Sequence, residues 1–168
     1  MCMQIIEKIL LLFGMIFLSV PAFGQVVWTS NLQAAAGPVV QVAVPNSAGK
    51  NRVVFVVFEY ARQCDPIFSF VEISGGALGK PRKQSVLYGS KIGVEINGRI
   101  HTGNAAQTQY DNGFEAGFGI TNELFDLLTG KVDSLAYITP GGERIFLPTS
   151  GFKPAIASAL EVCAKRFR

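Results

Sequence analysis

The sequence predicts an α+β domain built mainly of antiparallel β-structure, either sandwich-like or one strongly curved sheet, with a short helix near 122–129 and a C-terminal helix at 154–166. Short runs rich in β-branched and aromatic residues recur between Gly, Asn and Pro punctuation, the pattern of strands joined by tight turns. Asn97-Gly98 lies between two such runs, and both positions of that dipeptide tolerate positive φ, which favours a hairpin. Only the two segments near the C-terminal end space their apolar residues helically.

Residues 1–24 read as a secretory leader: Lys8 and the chain amine, an apolar run from Ile9 to Val20, then Pro21, Ala22, Phe23 and Gly24 as a small-residue ending. A run of twelve residues falls short of the roughly 30 Å hydrocarbon core, so it is too short for a spanning helix. Cleavage after Gly24 leaves a single exported domain, 25–168, with no stable membrane span and a periplasmic or secreted location. Such a length is enough for one core.

Beyond the leader, Val26 to Trp28 reads as a short strand and Val39 to Val44 as the next. Val53 to Tyr60 is almost wholly apolar, as expected of a central strand covered on both faces. Ile67 to Ile73 resumes the pattern after Cys64-Asp65-Pro66. Ile92, Val94 and Ile96 alternate with polar neighbours, so one face of the Asn97-Gly98 ribbon should be wet. The Gly-, Asn- and Gln-rich stretch from Thr102 to Gly119 reads either as a second hairpin turning at Asp111-Asn112-Gly113 or as an ordered surface loop.

Thr121 or Asn122 can cap the short helix, with Glu123 at its positive end, Gly130 as terminator and Leu124, Leu127 and Leu128 as its buried stripe. Ser134–Ile138 and Arg144–Leu147 flank Thr139-Pro140-Gly141-Gly142 as a further hairpin. In the last helix Pro154 is tolerated in the first turn, and Ile156, Ala159, Leu160, Cys163 and Phe167 fall in one apolar sector, which Phe152 extends if it joins the stripe. That phase turns Cys163 toward the core.

Cys64 and Cys163 are the only cysteines after the leader. In a disulfide-permissive compartment they predict one bridge, the alternative being two buried thiols that never meet. The formal net charge is +3. Its densest clusters, Lys80, Arg82, Lys83 and Lys165, Arg166, Arg168, lack interleaved aromatics, which speaks against a nucleic-acid surface.

His101 is the single histidine, so a multi-histidine metal site or a two-histidine relay cannot be built. No G-x-S-x-G elbow, phosphate loop or complete calcium loop occurs, and no carboxylate pair is singled out. Neither a cofactor nor a metal is expected. The loop-borne group Gln107, Gln109, Tyr110, Phe114 and Phe118, with Lys80, Arg82 and Lys83 nearby, is the candidate binding surface; the alternative is that Phe114 and Phe118 pin their own loop to the core.

The ending Ile145-Phe146-Leu147-Pro148-Thr149-Ser150-Gly151-Phe152, with Ala155-Ile156, Leu160 and Cys163, resembles the C-terminal strand-to-helix element of the exported invasion-associated locus B-like proteins of Gram-negative bacteria. The resemblance covers about the last quarter of the chain. It implies a β-sandwich-like periplasmic domain whose terminal helix is tied by a disulfide, with no catalytic residues to carry over. Taken with the residues themselves, the expectation is a periplasmic, non-catalytic protein that binds a protein partner in the bacterial envelope, as an inhibitor, immunity, virulence or secretion accessory factor. Two rivals remain open: a small exported hydrolase around His101, Asp111 and Tyr110, and a structural subunit of an envelope complex.

Overall fold

The densest apolar run of the chain becomes the spine of a seven-stranded antiparallel sheet. The structure, a computed structural model, describes residues 27–44, 49–87 and 92–168. The expected leader lies outside them.

Chain order gives β1 (Thr29–Asn31), β2 (Val39–Val44), β3 (Asn51–Glu59), β4 (Asp65–Ile73), β5 (Pro81–Leu87), β6 (Gly93–Ile96), β7 (Arg99–Thr102), β8 (Ala105–Tyr110), β9 (Gly113–Gly119), α1 (Asn122–Thr129), β10 (Leu135–Ile138), β11 (Arg144–Leu147) and α2 (Phe152–Lys165). The larger sheet has the order β1-β2-β3-β4-β9-β8-β5, and a four-stranded sheet has the order β11-β10-β6-β7. All pairings are antiparallel. The predicted α+β class therefore holds, with two sheets rather than one.

The sheets meet through aromatic side chains. Tyr137 of β10 stacks on Phe68 and Phe70 of β4, with ring centroids 5.8 and 5.5 Å apart, and its hydroxyl donates to the Ala116 carbonyl at 3.0 Å. Val54, Val56 and Phe58 of β3 share this inner core with Val94, Ile96, Leu135, Ile145 and Leu147 of the smaller sheet. Each fully buried aliphatic or aromatic side chain there contributes roughly 1.5–3 kcal/mol relative to exposure.

On the other side of β3, Val53, Phe55 and Val57 join Val39, Val71 and Ile73, with Ala34 and Leu78 packed over them. Burial on both faces explains the unbroken apolar run. Gly37 is required in this layer: it sits at φ 144°, and a Cβ there would lie 1.9 Å from the Phe58 carbonyl oxygen.

The stretch 102–119 is a hairpin, β8 with β9, and not a surface loop. Its turn is held by Asn112, whose Nδ2 donates to the Ser74 and Ala77 carbonyls, both at 2.8 Å, while Oδ1 accepts from the Gly79 amide at 2.7 Å. The Asn97-Gly98 hairpin forms as expected, with φ of 51° and 79°. Asn97 Oδ1 also accepts from the Asp133 and Ser134 amides, which brings the start of β10 against the turn.

Thr121 caps α1 by accepting from the Leu124 amide at 3.3 Å, and Gly130 ends it. Leu124 and Leu128 are buried, but Leu127 is exposed, because an eight-residue helix lying on the body needs only one i, i+4 stripe. α2 begins at Phe152, two positions before the expected Pro154, with Gly151 at φ 78° at its N-cap. Phe152, Ile156, Ala159 and Cys163 are buried, whereas Phe167 lies past the helix end, exposed, edge-on to Tyr60.

Cys64 and Cys163 are disulfide-bonded, with an S–S distance of 2.12 Å and Cα atoms 5.9 Å apart. Trp28 adds a second tie at the opposite, N-terminal end of α2: its Nε1 donates to the Pro148 carbonyl at 2.6 Å, and its ring lies 4.7 Å from Phe152.

Candidate interaction surface

The outer face of the four-stranded sheet leaves two large apolar side chains in water, whereas the other exposed ones among the described residues, Val27, Val86, Leu127 and Phe167, lie outside that sheet. Register sets Phe146 of β11, Ala136 of β10, Glu95 of β6 and Ile100 of β7 in one cross-strand row. Phe146 is 70 % exposed and Ile100 53 %. Between them Arg144 reaches across β10 to pair with Glu95, Nη2 to Oε2 2.8 Å. Ala136 and Ile138 beneath are buried.

The local reason is alternation. Ile145 and Leu147 turn into the core beside Tyr137 and Leu135, so Phe146 is forced outward; Val94 faces inward beside His101, so Ile100 points out. Arg144 keeps about half its side chain in solvent while Glu95 is largely shielded, so the charge this face presents is positive.

The surface anticipated on β8 and β9 is mostly internal, and that expectation is corrected for its aromatic part. Phe118 is buried in the inner core, stacked on Phe68 at 6.3 Å, and Tyr110 is buried on the opposite side of the sheet. Phe114 is half-buried against Phe70 at 5.7 Å. These rings pin the hairpin, because strand pairing turns them onto covered faces. Gln109 is exposed with Nε2 donating to the Gly113 carbonyl at 2.8 Å, and Gln107 is half-buried. Lys80, Arg82 and Lys83 are exposed beside or on edge strand β5, where Arg82 pairs with Asp111. Charges and Pro81 on such an edge oppose pairing with another chain.

His101, Tyr110 and Asp111 are not brought together. His101 is on β7 of the smaller sheet, with Nε2 buried and without a hydrogen-bond partner. Tyr110 and Asp111 stand at the far end of β8 on the larger sheet, five strand steps or roughly 17 Å beyond its start. Asp111 is already engaged by Arg82.

Two polar clusters escaped the sequence reading. At the N-terminal end of β3, Arg52 donates through Nε to Glu72 at 2.7 Å and through Nη1 and Nη2 to Glu143 at 2.9 and 2.6 Å, while Lys50 reaches Glu72 at 2.8 Å. The Glu143 hydrogen bonds, above all, hold the Arg52 guanidinium firmly charged. Burial pushes the Glu72 carboxyl up, but the hydrogen bonds from Lys50 and Arg52 outweigh it and hold the group below its usual range. Arg52 also lies 5.8 Å above the Phe70 ring of β4, and its bonds to Glu143, in the turn between β10 and β11, join the hairpin of the smaller sheet to the larger one.

The second cluster is Glu115 on β9, buried on the outer side of the larger sheet, with the Tyr110 hydroxyl donating to Oε2 at 3.3 Å. Burial pushes its carboxyl up to about 7, and burial likewise raises the Tyr110 phenol. Glu115 belongs to a strand reading Gly-Phe-Glu-Ala-Gly-Phe-Gly, where alternation alone would leave it in solvent.

Among the described residues no group of three or more His, Cys, Asp or Glu side chains is placed to hold a metal, and no helix is long and apolar enough to cross a membrane. No protein-family model matches this chain, and neither a curated protein nor a solved structure matches it.

Proposed function

We propose that this is an exported, non-catalytic binding domain that engages a protein partner of the bacterial envelope through the outer face of its four-stranded sheet. The observation that carries the reading is the exposure of Phe146 and Ile100 in one row around the Arg144–Glu95 pair. A rigid sheet presenting apolar anchors with a half-exposed arginine suits a partner with an apolar contact and an acidic rim. The leader-like start of the chain and the resemblance of 145–163 to exported locus B-like proteins support an envelope location, and the single disulfide suits an oxidising compartment.

A photoreactive residue replacing Phe146 tests this in cells, with the same residue at exposed Lys153 of α2 as reference. The expected result is a discrete adduct with another envelope protein from position 146 alone, reduced at least about tenfold by Ile100→Glu, since a buried charge opposite an apolar contact costs several kcal/mol. Equal labelling from both positions, or adducts only between copies of this chain, would overturn the proposal.

A further inference from the structure

We propose that Glu115 is a pH-sensitive latch in the wing of the larger sheet formed by β5, β8 and β9: uncharged, it lets the wing close over it, and ionised, it favours opening of the wing. The placement is the first support. Glu115 is 8 % exposed, and register sets it beside Val71 of β4 on one side and Thr108 of β8 on the other. Its carboxyl accepts a hydrogen bond from the Tyr110 hydroxyl, 3.3 Å away on the neighbouring strand, so the contact that engages the carboxyl also ties β8 to β9.

The second support is the charge around it. From β8 the group is faced by Tyr110 and Thr108, and from β5 by Gln84, which register sets beside Thr108. From β4 it meets Val71; the neighbouring Glu72 points to the other face, where Lys50 and Arg52 hold it. Through the sheet lies the buried phenol of Tyr137, hydrogen-bonded to the Ala116 carbonyl. Arg82, at the end of β5, is paired with Asp111. None of these ion pairs includes Glu115, so no cation among the described residues compensates its charge.

A carboxylate in that position loses hydration and gains one long hydrogen bond, which leaves its neutral form favoured. The carboxyl in the closed sheet sits at about 7 against an ordinary value of 4.5. A raised acid contributes fully below the ordinary value, and its contribution is lost as pH rises from there to the folded value. β8 and β9 are the strands that release the group to water, and β5 is an edge whose partner is β8. Opening of that wing is therefore the motion that relieves the charge.

Hydrogen exchange on the intact, disulfide-bonded protein reads this directly. After correction for intrinsic exchange, the opening constant of β8 and β9 amides should rise by roughly a hundredfold between pH 5 and pH 8, while amides of α2 change little. In Glu115→Gln that rise should vanish. A carboxyl titration of Glu115 in the unmodified protein by NMR gives a second reading that needs no substitution, with a midpoint expected near neutrality. A midpoint in the ordinary carboxylate range, opening constants independent of pH, or the same rise persisting in Glu115→Gln would each overturn the proposal.

Discussion

The two ends of β3 are closed by different chemistry. At the Phe58 end the strand runs into a 3₁₀ turn, Tyr60–Arg62, and then Cys64, where α2 is bonded through sulfur to the sheet and Cys163 Sγ lies 3.6 Å from the Phe58 carbonyl. At the Asn51 end Arg52 gathers Glu72 and Glu143 in a polar clamp. The first closure is covalent and dry, indifferent to salt and pH but open to reductant. The second depends on protons and leaves one partner, Glu143, half in water. One strand thus shows two ways of holding a small domain closed: a covalent tie is added to a helix that packs Phe152, Ile156, Ala159 and Cys163 into the core, whereas the β10–β11 hairpin is held by aromatic stacking with the charges beside it.

Breaking the covalent end should have the largest effect. Replacing Cys64 and Cys163 together by Ala removes a cross-link closing a separation of 99 residues. The expected loss is about 4 kcal/mol in the chain-entropy view, read as a fall in the urea midpoint that reductant no longer deepens. Wild-type protein should lose the same amount on adding reductant. Equal midpoints with and without the bridge would show that packing of Phe152, Ile156 and Ala159 holds α2 without it.

At the ionic end Arg52→Ala should cost about 3 kcal/mol, because Glu72, about nine-tenths buried, keeps only Lys50 as a counter-charge. Part of that loss should disappear in the double variant Arg52→Ala, Glu72→Gln, which removes the stranded charge. If the double variant is no more stable than the single one, the cost lies in the lost stacking over Phe70 and not in the charge. Glu143→Gln should have the smallest effect, no more than about 1 kcal/mol, since a half-exposed partner is screened by water. Because the Arg52 hydrogen bond lowers Glu143 in the folded state, its contribution is present above the ordinary carboxylate value and lost as pH falls through the folded one. Urea midpoints of wild type and Glu143→Gln should therefore converge on acidification; a constant difference down to strongly acidic pH would assign the effect to packing. The sign is opposite to that at Glu115, so the two carboxylate sites push stability in different directions across the acidic range.

Much of this was legible locally. Asn97-Gly98 set one hairpin because the pair accepts φ of 51° and 79°, and Thr121 capped α1 because its hydroxyl can reach the Leu124 amide. The apolar sector of α2 placed Cys163 on its buried side, and an even cysteine count supplied the partner. The exposed face proposed for binding was not legible. Phe146 stands inside Ile145-Phe146-Leu147, a run whose apolar character hides which member points outward until the pairing with β10 is known. Conversely Tyr110 and Phe118 sit in a polar, glycine-rich stretch that looks like a surface loop, and only their pairing into the seven-stranded sheet buries them.

By itself the amino-acid order determined the strands β2, β3, β4, β6, β7, β10 and β11, the Thr121 cap, the Asn97-Gly98 turn and the phase of the last helix, because each depends on side chains a few positions apart and on backbone angles that particular residues accept. The tertiary structure alone decided the division into two sheets, the placing of β9 between β4 and β8, the convergence of Arg52 with Glu72 and Glu143, and the burial of Glu115. Periodicity tells which residues share a face; which face loses its water is settled by segments far away in the chain.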